Sequence, residues 1–114
     1  MDSENKLTVL WTTDDLVTSL DMVFMYAANA KKFGWFEEVT LVIWGPSAVL
    51  AAENAVIQQH LQEMAELGVK VSACKACADR HKVSKQLEAL GIEVKYWGVG
   101  LTEVLKGDGK LLTV

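Results

Sequence analysis

The stretch Gly68-Val69-Lys70-Val71-Ser72-Ala73-Cys74-Lys75-Ala76-Cys77-Ala78-Asp79-Arg80 decides the architecture. Leu67-Gly68 closes the segment before it. Residues 69–73 are short and β-prone, and they run directly into an alanine-rich segment with no helix breaker. The spacing predicts a strand over 69–73 and a helix over 75–90, with Val83, Leu87 and Leu90 facing inward. Gly91 then supplies the left-handed residue that ends such a helix.

The same alternation recurs on both sides. Upstream, Leu7-Thr8-Val9-Leu10-Trp11 is a β-prone run ending in Thr12-Thr13-Asp14-Asp15, whose side chains suit a helix start. Leu16, Leu20, Val23, Ala27 and Ala30 follow at helical spacing as far as Gly34. Val39-Thr40-Leu41-Val42-Ile43-Trp44 is nearly apolar throughout, as in a strand covered on both faces. Gly45-Pro46-Ser47 breaks it, and one helix is expected to carry Leu50, Ile57, Leu61 and Met64 on a single stripe. Downstream, Ile92-Glu93-Val94-Lys95-Tyr96-Trp97 alternates like a strand near a sheet edge. A short helix near residues 101–105 and a last strand over 110–114 complete the chain, joined by Gly107-Asp108-Gly109.

Strands alternating with helices imply right-handed crossovers and an α/β fold: three layers, α/β/α, with about five mostly parallel strands and helices on both faces. Ligands and reactive groups in such sheets collect at the carboxyl ends of the strands. Here that rim is built from residues 12–15, 45–47, 73–77 and 97–100. It offers Thr12, Thr13, Asp14, Gly45, Pro46 and Trp97 as candidate pocket residues. Trp11, Trp44 and Trp97 each end a strand and are candidate walls of one cleft.

The chain has 114 residues, 51% hydrophobic and 23% charged, which suits a single packed domain over residues 1–114. Its net charge of −4 argues against nucleic-acid or anionic-membrane binding. The polar, acidic opening lacks the pattern of a secretory signal, and no apolar run approaches the roughly 20 residues that span a bilayer. The chain therefore reads as cytoplasmic, where structural disulfides are uncommon. Met22-Val23-Phe24-Met25-Tyr26-Ala27-Ala28 is apolar around most of a helix, more than one small domain covers. A homo-oligomer packing through the helix that contains Phe24 is the expectation.

The chemistry falls on the two cysteines, Cys74 and Cys77. At a strand-to-helix turn a thiol meets the positive end of the helix dipole and unpaired N–H groups, which favour the thiolate. Lys70, Lys75, Arg80, Lys82 and Lys85 face one acid, Asp79, in this segment; Lys75 and Arg80 are the residues expected to support the thiolate. The segment also suits an acidic partner. Three residues apart, the sulfurs meet across one helical turn, so Cys77 is placed to resolve an oxidised or persulfidated Cys74. Two other readings compete. Free cysteine is a common small core residue, and Ala73, Ala76 and Ala78 mark a tight turn; this gives a non-enzymatic binding or assembly module. Alternatively Cys74, Cys77 and His81 offer three metal ligands, where a closed structural zinc site needs four; His60 lies on another helix, and no metal is assigned. A thioredoxin-like oxidoreductase fits less well, because its pair follows an early strand and faces a cis-proline. No phosphate-binding glycine motif is present, and no cofactor is expected.

The segment 68–80, followed by Leu90-Gly91-Ile92-Glu93-Val94, resembles the DsrE/DsrF-like sulfur-relay family; the Thr12-Thr13-Asp14-Asp15 turn and its alanine-rich helix are similar too. The resemblance runs from about Leu7 to Leu105. It implies a flavodoxin-like three-layer fold, assembly as trimers or hexamers, and a cysteine that accepts persulfide sulfur, acting as sulfurtransferase or carrier between donor and acceptor proteins. Counted back from Val83, Cys74 matches the sulfur-accepting position. Cys77 is an extra thiol that single-cysteine carriers of the family lack.

Overall fold

The computed structural model of the protein describes residues 5–114; the first four residues of the acidic opening lie outside the described residues. Five strands, β1 (Lys6–Trp11), β2 (Glu38–Ile43), β3 (Lys70–Cys74), β4 (Glu93–Lys95) and β5 (Lys110–Thr113), form one sheet. All pairings are parallel, and the order is β4-β3-β2-β1-β5. The helices are α1 (Leu16–Thr18), α2 (Met25–Lys32), α3 (Ser47–Glu53), α4 (Ala55–Leu67), α5 (Lys75–Arg80), α6 (Ser84–Ala89) and α7 (Gly98–Lys106). A π-helical segment, Ser19–Phe24, joins α1 to α2.

This order dictates where the layers go. From β1 to β4 the chain steps three times to the next strand in the same direction, so right-handed crossovers put α1 through α6 on one face. The connection from β4 to β5 runs back across the whole sheet and therefore places α7 on the opposite face. Both faces carry helices, but unequally. The larger core lies under α1 to α6 and holds Val9, Trp11, Leu41, Ile43, Ile57, Met64 and Leu87. The smaller one lies between the sheet and α7, and joins Leu10, Val42, Cys74 and Trp97. Toward the amino ends of the strands this second face turns polar: Glu38 bridges Lys6 and Lys70 at 3.3 and 3.0 Å.

Several element boundaries differ from the sequence reading. The helix expected over 75–90 is two helices, separated by a left-handed residue at Lys82 (φ 59°). The helix expected after Ser47 breaks at Asn54, whose side chain accepts from the Ile57 N–H at 3.0 Å and starts α4 afresh. Residues 96 and 97, expected in the fourth strand, lie beyond it. β4 pairs only with β3, and β3 turns into α5 after Cys74, so no partner remains past the Cys74–Lys95 pair.

Trp11 is not a cleft wall. It points into the larger core, where its indole N–H donates to Ser19 Oγ at 3.0 Å and its ring meets Phe24 edge-on at 5.0 Å. Phe24 is itself buried, so the apolar side chains that this segment offers to solvent are Leu16, Val17, Met22 and Met25 instead, beside the exposed Thr18 and Asp21.

Candidate functional site

The strands β3 and β4 are neighbours whose exits diverge: α5 leaves β3 toward one face and α7 leaves β4 toward the other. A crevice at the carboxyl rim follows from that divergence, and such switch points are where open parallel sheets bind ligands. The crevice has a volume of about 530 Å³. Cys74 and Cys77 open on it from β3 and α5, Trp44 from the end of β2, and Tyr96 and Trp97 from the start of α7; Arg80 is its one charged lining residue. A larger groove of about 710 Å³ beside α4 and Leu90 is lined by glutamines and aliphatic side chains, with no nucleophile or charge. Both cysteines converge on the smaller cleft.

Cys74 ends β3 and occupies the N-cap position of α5, with extended backbone (φ −69°, ψ 117°). Alternation along β3 turns it, with Ser72, toward the α7 side of the sheet. There it packs against Leu10, Val42 and Trp97 and retains 4% of its surface. Cys77 sits one turn into α5 and is half-buried; both cysteines are free thiols. Burial pushes the Cys77 thiol above its ordinary range, and the adjacent Cys74 adds to the rise. A backbone hydrogen bond at Gly45 and the charge of Arg80 oppose it without reversing it. The helix start thus does not make Cys77 acidic, contrary to the expectation for a thiol in this position.

Lys75 and Arg80 part ways. The Lys75 ammonium is 3.2 Å from Asp79, which raises its affinity for its proton, and it stands 5.9 Å from the centre of the Tyr96 ring. Its charge is thus met by a carboxylate. Arg80 makes no ion pair among the described residues and lines the cleft. His81 caps the far end of α5, exposed to solvent, and no group of three or more His, Cys, Asp or Glu gathers among the described residues. The metal reading of Cys74, Cys77 and His81 has no preformed ligand set.

Of the candidate pocket residues, Trp97 lines the cleft and Gly45 reaches Cys77 through its backbone. Thr12 and Thr13 are tied elsewhere: both N–H groups and the Thr12 hydroxyl donate to the Val114 carbonyl, at 2.7, 3.3 and 3.0 Å. Asp14 and Pro46 are exposed at the rim outside the cleft. Tyr96, Val99 and the supporting Ser72 were not singled out by sequence. The signal for Ser72 is its position two residues before Cys74, on the same pleat.

The DsrE/DsrF-like family model matches residues 6–109. No curated protein matches the chain. Among solved structures, the conserved protein of unknown function BT1422 from Bacteroides thetaiotaomicron is 38% identical, with a TM-score of 0.96 over 100% of this chain and 98% of that one. The ychN protein from E. coli has a TM-score of 0.64 at 19% identity, covering 97% and 99% of the two chains, a likeness of fold.

Proposed function

The chain belongs to the DsrE/DsrF-like family, and from that membership we propose that it is a cytoplasmic sulfur-relay protein in which Cys74 accepts and passes on persulfide sulfur. The observation that carries the reading is the meeting of Cys74 and Cys77 in the rim cleft where β3 and β4 diverge. In the loading step the Cys74 thiolate attacks the outer sulfur of a donor persulfide, R–S–SH. A new S–S bond forms on Cys74, and the donor leaves as its thiolate, which takes up a proton. An acceptor thiolate then attacks the outer sulfur, and Cys74 departs as thiolate. Cys77 provides a second exit: its thiolate attacks Cys74 Sγ, hydrosulfide leaves, and a Cys74–Cys77 disulfide remains for an external dithiol to reduce. No cofactor takes part in these steps.

Incubation with a low-molecular-weight persulfide, followed by mass spectrometry, tests the reading. The native chain is expected to gain one sulfur atom on the Cys74 peptide, and Cys74→Ser none. Equal uptake by Cys74→Ser overturns the role of Cys74.

The near-complete burial of Cys74 favours a second reading, a non-enzymatic assembly module with a structural thiol pair. A thiol that no persulfide loads and that alkylates only on unfolding would establish it. In either case the exposed Val17, Met22 and Met25 support self-association through α1, the π segment and α2, with a trimer or hexamer the assembly that family membership suggests. Met25→Asp is expected to reduce the sedimenting mass to that of the monomer.

A further inference from the structure

Trp97 is held more firmly than a cleft wall requires. Its indole N–H donates to Ser72 Oγ at 2.7 Å, in a buried hydrogen bond that spans 25 residues of sequence. The Ser72 hydroxyl faces two acceptors on Glu93, Oε1 at 2.9 Å and the backbone carbonyl at 3.3 Å, and Oε1 lies 3.6 Å from Lys95 Nζ. That ammonium stands 4.9 Å from the centre of the Trp97 ring, closing a loop from indole edge to indole face. On the other side α7 approaches so closely that a Cβ on Gly100 would lie 2.8 Å from Trp97 Cε3. Glycine there lets the first turn of the helix lie flat on the ring. The hydrogen bond, the cation and the helix leave the side chain one position. In that position it packs with Cys74 over Leu10 and Val42.

The result is asymmetric protection of two thiols in one cleft. Cys77 is partly open, whereas Cys74 keeps 4% of its surface in a cluster with a ring that cannot swing without breaking the Ser72 bond. We infer that Trp97 is a specificity-determining residue, with Ser72 and Glu93 as its positioning residues, and that it sorts by width what reaches Cys74. The species admitted is a slender sulfur terminus, a persulfide or small electrophile on an unbranched arm. A disulfide flanked by bulky groups is kept out. This rests on Cys74 being the sulfur-accepting thiol, but its test needs no sulfur donor.

The test is the alkylation of Cys74 in a Cys77→Ser background by iodoacetamide and by a bulky dye-linked maleimide. Each rate is divided by that of the urea-unfolded chain. The folded parent is expected to favour the small reagent strongly. Ser72→Ala and Trp97→Phe each delete the indole hydrogen bond while keeping the fold, and each is expected to lower the small-to-bulky ratio about five- to tenfold. The two together are expected to lower the ratio at least as far as either alone, because Ser72→Ala also frees Glu93 and Trp97→Phe also shrinks the ring beside Cys74. Glu93→Gln is expected to retain the parental ratio, and Glu93→Ala to lower it less than Ser72→Ala does, because the residue 93 carbonyl still accepts from the Ser72 hydroxyl. A parental ratio near one, or a ratio unmoved by both Ser72→Ala and Trp97→Phe, overturns the inference. Size selection that persists in a chain which takes up no persulfide overturns the sulfur-relay reading alone.

Discussion

The backbone N–H of Val83 donates to the carbonyl of Ala78 at 2.9 Å, wrapping the chain around Lys82 at φ 59°. With the Lys82 N–H on the Asp79 carbonyl at 3.1 Å, this is a Schellman arrangement whose left-handed position, normally glycine, holds lysine. An L side chain pays for that conformation and glycine does not, while glycine loses more freedom on folding. The balance favours Lys82→Gly by about 0.5 kcal/mol, read as a higher urea midpoint at unchanged slope. A lower midpoint would mean that the lysine makes a compensating contact.

Lys82 also marks what the sequence hides. The glycines at 68 and 91 end α4 and α6 as read, with φ of 102° and 82°, because glycine advertises a left-handed turn. Lysine does not, and Val83 and Leu87 continue the helical spacing across the break, so two helices read as one. At Asn54 the apolar stripe persists likewise through Ile57, Leu61 and Met64, while a side-chain cap restarts the helix. Periodicity shows which face is buried and is blind to a bend that preserves the face.

Asn54 is accordingly the next position to test. Its side chain accepts from the Ile57 N–H, and Gln58 Nε2 reaches back to the carbonyls of Ala51 and Ala52 at 3.1 and 3.0 Å, so both helix ends at this corner are satisfied locally. Asn54→Ala is expected to cost about 1 kcal/mol in denaturant unfolding, and Asn54→Asp to recover most of it. An alanine variant as stable as the parent would assign the corner to packing alone.

Asp79 ties α5 to α6 across the same bend, accepting from the Ser84 hydroxyl and pairing with Lys75. Ser84 first, then Lys75, holds its carboxyl below the ordinary 3.8. A lowered carboxylate contributes stability above its unfolded pKa and loses it as the pH falls through the folded value. The stability difference between the native chain and Asp79→Ala is therefore expected to be constant near neutrality and to shrink as the pH drops below 3.8. A difference that persists unchanged into stronger acid would show that the carboxylate charge is not what Ser84 and Lys75 recognise.

The candidate site was legible in its centre and illegible in its walls. Cys74 and Cys77 are three residues apart at a recognisable strand-to-helix turn, so local reading places them at the rim. Tyr96 and Trp97 continue the apolar alternation of β4, and nothing local reveals that the strand stops at Lys95; the end is set by β3 turning away. Ser72 looks like one polar residue on a strand until the fold delivers the Trp97 indole to it. Thr12 and Thr13 carry the right residue types at the right edge, but the far end of the chain takes their hydrogen-bonding groups at Val114.

Cys77 gives the sharpest pH signature. Burial is the first cause of its raised pKa, and Cys74 reinforces it. In a Cys74→Ser chain, alkylation of Cys77 is expected to rise with pH along a curve displaced to the alkaline side of the unfolded chain's, because removing Cys74 leaves the burial in place. Arg80→Ala is expected to displace it further, since the guanidinium favours the thiolate. The stability consequence has a definite sign: a thiol held neutral stabilises the fold fully below its unfolded pKa, and that contribution fades as the pH climbs through the raised folded value. The native chain should therefore lose more stability than Cys77→Ser across this alkaline window. An alkylation curve that coincides with the unfolded chain's would show that water reaches Cys77 freely and that burial does not govern its titration.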